Sequence, residues 1–203
     1  MNPDSKVMQA LLLAADVVII NVLLIFTALP VVTAGAALAA AHGTLLELIN
    51  DEHDGVVRTF FRYFRRSWKT ATPGWLILLL GGAVLVWEYW ALGRMDGGAA
   101  VVAQAAVVAG AFLLALWAVW FFPLASRGEA FKPTAKLAAA LGIGKLPRSL
   151  LALVMLALPA IALLASPGAW AIWLAAMAVL GWALPLYLAD LVLREPLATP
   201  AEG

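Results

Sequence analysis

Residues 75–92 read WLILLLGGAVLVWEYWAL, eighteen positions with a single charged side chain, Glu88. A helix of that length is ~27 Å long at ~1.5 Å per residue, close to the ~30 Å hydrocarbon core of a bilayer. A polar turn at 93–98 follows, holding Arg94 and Asp96, and then 99–122 runs without a charge up to Pro123. Two apolar segments joined by a short polar turn read as a pair of membrane-crossing helices.

The rest of the chain has the same character. Of its 203 residues 65% are hydrophobic and 12% charged, and the mean hydropathy is +0.97. An ordinary soluble domain carries about 25% charge and could not hide this much apolar surface. The composition excludes a water-soluble globule and a disordered chain. The formal net charge of +1 gives no bulk attraction to nucleic acid. There is no cysteine, so disulfides, thiolate chemistry and cysteine metal sites are excluded.

Upstream, an apolar block runs from 7 to 46 with Asp16 inside it. As one helix it would be ~60 Å long, twice the hydrocarbon core, so the block must bend. Pro30 stands in its middle and marks the break between segments 7–28 and 31–49. The second is rich in Gly and Ala, with Gly35, Ala36, Ala39, Ala40 and Gly43, which permits close helix contact. Downstream, 150–165 and 169–189 are further apolar segments around the uncharged turn Ser166-Pro167-Gly168, and 191–203 is a loose tail.

Two basic amphipathic stretches interrupt this pattern. In 55–70, Val56, Val57, Phe60, Phe61, Phe64 and Trp68 recur at helical spacing. Arg58, Arg62, Arg65 and Lys69, with Arg66 beside them, fall on the other side. The pattern predicts an interfacial helix with cations among anionic lipid headgroups, capped by Asp54-Gly55 and punctuated by Pro73-Gly74. A second such element is expected at 133–146, started by Pro133. Ten of the thirteen Lys and Arg lie in 58–69 and 127–148. The positive-inside rule puts both stretches and the C-terminus in the cytoplasm. The whole chain, 1–203, thus reads as one all-α polytopic transmembrane bundle of five or six spans in a bacterial inner membrane. Six spans place the N-terminus in the cytoplasm, and the first segment is a retained anchor.

Few residues invite chemistry. Asn21 and Asp16 lie ~1.4 turns apart on the first segment, where polar groups either line a path or bond a neighbouring helix. Gln104 reads as a helix-to-helix hydrogen bond. Glu88, between Trp87 and Tyr89-Trp90, reads as a carboxylate in an aromatic belt, and Asp190, at a span end, is read the same way. The two histidines, His42 and His53, sit in no metal-binding pattern. No phosphate loop, nucleophile elbow or catalytic constellation is visible, so neither a cofactor nor a metal is expected, and the chain is not read as an enzyme.

Three segments carry a family resemblance: Asn21-Val22-Leu23-Leu24, then Leu29-Pro30-Val31-Val32-Thr33-Ala34-Gly35-Ala36, then Phe60-Phe61-Arg62-Tyr63-Phe64-Arg65-Arg66-Ser67-Trp68-Lys69. Together they resemble the YesL-like bacterial membrane proteins, with Ser67-Trp68-Lys69 standing where that family often has Asn-Phe-Lys. Leu146-Pro147-Arg148-Ser149 is similar to the segment before the family's penultimate span. The resemblance implies a role beside carbohydrate uptake. On that footing the chain is expected to be an accessory or regulatory subunit of a membrane transporter, docked through the small-residue faces near Gly35–Gly43 and Gly81–Gly82. The alternatives are a small transporter, with Asn21, Gln104 and Glu88 along its path, and a membrane enzyme.

Overall fold

The computed structural model describes residues 6–50, 55–165, 168 and 181–198. All regular structure among these residues is helical: α1 (Lys6–Ala28), a 3-10 turn (Val31–Thr33), α2 (Ala34–Ile49), α3 (Val56–Leu92), α4 (Gly98–Ala125), α5 (Phe131–Gly144), α6 (Leu146–Ala165) and α7 (Ala183–Ala198). The acidic cluster at 51–54 and most of the expected last span, 169–180, lie outside the described residues.

Five of these helices are long and apolar enough to cross a membrane. Their surfaces fit that solvent. Val86 is 71% exposed, Val102 72% and Leu164 81%, on α3, α4 and α6. In water such rows would cost roughly 25 cal/mol per Å², whereas lipid solvates them at no cost. The chain is an all-α polytopic membrane-helix bundle.

The expected interfacial helix 55–70 and the span 75–92 form one helix of 37 residues. Gly55 holds its N-cap with φ of +88°, a conformation that favours glycine. Pro73-Gly74 does not interrupt it. Pro73 removes one backbone hydrogen bond, and packing from two sides keeps the helix running. On one side α2 lies antiparallel, so close that a Cβ on Gly35 would meet Trp75 Cβ at 2.4 Å. On the other, Gly74 receives the ring of Phe121. Pro123 is likewise inside its helix, and α4 continues past it to Ala125.

The interior has two cores. In one, Trp120, Phe121, Phe122 and Leu124 of α4 are ringed by small residues from the other helices: Ala39, Ala71, Ala138, Ala152 and Ala189. Lipid supplies no hydrophobic drive between helices, so close approach over alanine and glycine, with dispersion contacts to large rings, holds them together. Indole N–H groups add polar ties. Trp120 Nε1 donates to Ser149 Oγ at 2.7 Å, and Trp75 Nε1 donates to the Val31 carbonyl at 2.7 Å. The second core joins Val17, Ile20 and Leu24 of α1 to the alanine face of α2, with Phe60 of α3 and Leu186 of α7.

Candidate functional site

Among the described residues two groupings of polar side chains stand out, an interior pair and a basic end. The interior pair is His42 with Asp190. α2 is lined with alanine and glycine from Ala34 to Gly43, and His42 is the one large polar side chain in that run. In α7, Leu186, Ala189, Asp190, Leu193 and Leu197 all face inward. Where the two faces meet, His42 Nδ1 lies 2.7 Å from Asp190 Oδ1, and Asp190 is wholly buried. Its second oxygen, Oδ2, has no hydrogen-bond partner among the described residues. The expectation for Asp190 is thus corrected. It is no belt carboxylate but one half of a buried pair, because its position in the i, i+3, i+4, i+7 pattern turns it inward.

Asn21 is also fully buried. Its Oδ1 accepts from the backbone N–H of Trp182 at 3.0 Å and of Ala183 at 3.4 Å. These are orphan donors at the start of α7, so a side chain of α1 caps a helix remote in sequence. Asp16 is half-buried and lines a cleft of about 830 Å³ with Tyr187 and the 48–49 end of α2. Gln104 lies beside the 93–98 turn, where a Cβ on Gly93 would stand 3.3 Å from its Nε2. Glu88 is exposed, among the exposed rings of Trp87, Tyr89 and Trp90. Nearby, the guanidinium of Arg94 sits 3.5 Å over the Trp90 ring. Gln104 and Glu88 both lie toward the 93–98 end of the α3–α4 hairpin, while Asn21 is tied to the start of α7.

The other end of the bundle is basic. Arg58, Arg65 and Lys69 are exposed on the outer face of α3. Arg62 instead turns to α2 and donates from Nη2 to both oxygens of Glu47 at 2.5 and 2.6 Å, while the Tyr63 hydroxyl donates to Glu47 Oε1 at 2.7 Å. Arg66 is exposed too, but it lies over Gly128 and lines a cleft of about 520 Å³ that Arg127 and Arg194 also line. The two basic stretches thus meet at one end of the α3–α4 hairpin. Sequence reasoning grouped Arg66 with the lipid-facing cations and did not connect it with Arg127 and Arg194. These three stand at remote sequence positions and share no local pattern.

The small-residue face of α2 is occupied as well. Gly35 packs on Ala71 and Trp75, and a Cβ on Gly43 would fall 2.6 Å from the Tyr63 ring. That face builds the chain's own core and is closed to a partner helix, whereas no atom lies within 4 Å of a Cβ built on Gly82. No group of three or more His, Cys, Asp or Glu that could hold a metal occurs among the described residues.

Fold and polar groups together define a multi-pass helical membrane protein whose interior polar side chains tie helices to one another. Over residues 17–89 the chain is similar to a family described as "Protein of unknown function, DUF624". That stretch covers the second half of α1, all of α2 and nearly all of α3, the helices that carry Asn21, His42 and the basic face. No curated protein and no solved structure matches the chain.

Proposed function

We propose that this protein is a non-catalytic accessory or regulatory component of a membrane transport system, with carbohydrate uptake as its setting. The observation that carries the reading is the use of the interior polar groups. Asn21 caps α7, and His42 is hydrogen-bonded to Asp190. Each fastens helices that a transporter would have to move past one another. The face available to partners is the α3–α4 hairpin beyond Trp75, where large apolar side chains are exposed on both helices. The link to carbohydrate rests on the resemblance to the YesL-like proteins alone.

Photo-crosslinking tests the proposal. A crosslinker placed at Val86 or Val102 in native membranes should trap a defined membrane protein, and deletion of the gene should alter uptake of a carbohydrate. A protein recovered without partners from both positions, in cells whose uptake is unchanged, would refute it. Flux of solute into proteoliposomes containing this chain alone would replace it with the transporter reading.

A further inference from the structure

Arg66 of α3, Arg127 just past α4 and Arg194 of α7 line one cleft. Guanidinium groups stay charged at every physiological pH, so three around one cavity repel each other with no deprotonation to relieve the repulsion. The carboxylate on the same rim, Glu195, is engaged with Arg148 at 2.5 Å. Arg127 donates to the Leu197 carbonyl, which fixes its place but brings no neutralising charge. Among the described residues no carboxylate pairs with Arg66 or Arg194. Among the described residues three arginines and one carboxylate, Glu195, thus line a cavity of about 520 Å³, an excess of positive charge. That volume is within the ~300–1,000 Å³ usual for small-molecule sites. One wall is apolar, formed by Leu46, Pro123 and Leu197.

We propose that the cleft of Arg66, Arg127 and Arg194 binds a phosphate monoester, with its phosphate between the guanidinium groups and its organic part against Leu46, Pro123 and Leu197. A doubly charged group with several acceptor oxygens suits guanidinium-bearing side chains that α3, the segment after α4, and α7 bring to one cleft. The apolar wall has a use only if the anion carries an organic substituent. The phosphate belongs to a lipid headgroup of the phosphatidic acid type or to a soluble phosphorylated metabolite. The inference does not depend on the transport role proposed above.

The test uses the full chain, in detergent micelles for titration with inorganic phosphate and glycerol 3-phosphate, and in phosphatidylcholine nanodiscs with and without phosphatidic acid. Arg66→Gln and Arg194→Gln should each weaken binding by about tenfold or more, the loss of a charge-assisted contact. Arg58→Gln and Arg65→Gln remove the same charge from the outer face of α3 and should change it by less than about threefold. Arg66→Lys, which keeps charge but loses the fork, should fall between. Thermal melting of each variant separates a lost site from a lost fold. Binding of the soluble phosphates identifies a metabolite site, and binding confined to phosphatidic acid nanodiscs identifies a lipid site. Absence of binding to every probe, or equal losses in the cleft and outer-face variants, would overturn the proposal.

Discussion

Replacing His42 by leucine should be the most damaging single change in the interior, and a second substitution should partly repair it. The change leaves the Asp190 carboxylate wholly buried, without the imidazole that stands 2.7 Å from Oδ1 and with Oδ2 already unpartnered. Breaking a buried pair from one side costs about 3–5 kcal/mol, because the surviving charge is stranded. Asp190→Asn alone keeps shape and the Oδ1 acceptor, and turns a charge-assisted hydrogen bond into a neutral one, at a cost of about 1 kcal/mol. In the double variant the stranded group is an amide, whose unsatisfied burial costs about 1–3 kcal/mol. Asp190→Asn should therefore raise the stability of the His42→Leu protein by about 2 kcal/mol. At ~2–4 °C per kcal/mol for a chain of this size, that is a gain of roughly 4–8 °C in melting temperature. Detergent-solubilised variants compared by fluorescence-detected melting at one scan rate would show it. Simple additivity, with the double variant less stable than His42→Leu alone, would refute the idea that this pair is a coupled unit.

Three further outcomes follow from named contacts. Asn21→Ala removes the acceptor for the N–H groups of Trp182 and Ala183 and should destabilise by about 1–2 kcal/mol, read by the same melting assay. Gly74→Ala would put a Cβ 2.0 Å from the ring of Phe121, which is itself stacked on Trp117 at 4.3 Å and cannot swing away. Overpacking should cost about 1–3 kcal/mol, while Gly82→Ala, in open space, should be neutral or slightly stabilising. The chain has no cysteine, so single cysteines can report sidedness without background. Cysteines at Arg58 and Lys132 should react with an impermeant maleimide from one face of the membrane and one at Arg94 from the other, and labelling of Arg58 and Lys132 from opposite faces would contradict the hairpin.

Hydropathy made the apolar elements legible, because solvation by lipid acts on each residue separately and adds up along the chain. Helices α1, α4 and α6 cover the apolar segments 7–28, 99–122 and 150–165 for that reason. What needed three dimensions was less visible. The helix through Pro73 survives because α2 and Phe121 pack against it from opposite sides, and neither neighbour is encoded near residue 73. The His42–Asp190 pair joins positions 148 residues apart. Part of it was nevertheless readable: Leu186, Ala189, Asp190, Leu193 and Leu197 repeat at helical spacing, which places the carboxylate on the apolar side of its helix. The small residues of α2 signalled close packing correctly but not with which helix. An alanine face serves α3 of the same chain as well as it would serve a stranger.

The length of α3 carries one more consequence. Its 37 residues make ~55 Å of helix, against ~30 Å of hydrocarbon. Residues 75–92 alone match the hydrocarbon thickness, and 56–74, with five cations, has the composition of a polar layer. α2 runs along this basic half, with Gly35 at Ala71 and Trp75, Gly43 at Tyr63, and Glu47 at Arg62. The two therefore share a depth. Together with the 3-10 turn before it, α2 has the length and hydropathy of a span, yet 67% of its apolar window is buried inside the protein, against 0% for α3 and 11% for α4. Its apolar surface is matched to helices rather than to lipid. Phe61 and Trp68 are exposed beside Arg65 and Lys69, the mixture of rings and cations expected of a helix face at the headgroups. The bundle thus has a basic end where α2 and α7 pack and which contains the arginine cleft, and from it extends the α3–α4 hairpin, whose helices are long and apolar enough to cross a membrane. A phosphate presented at that headgroup layer would meet the cleft without entering hydrocarbon.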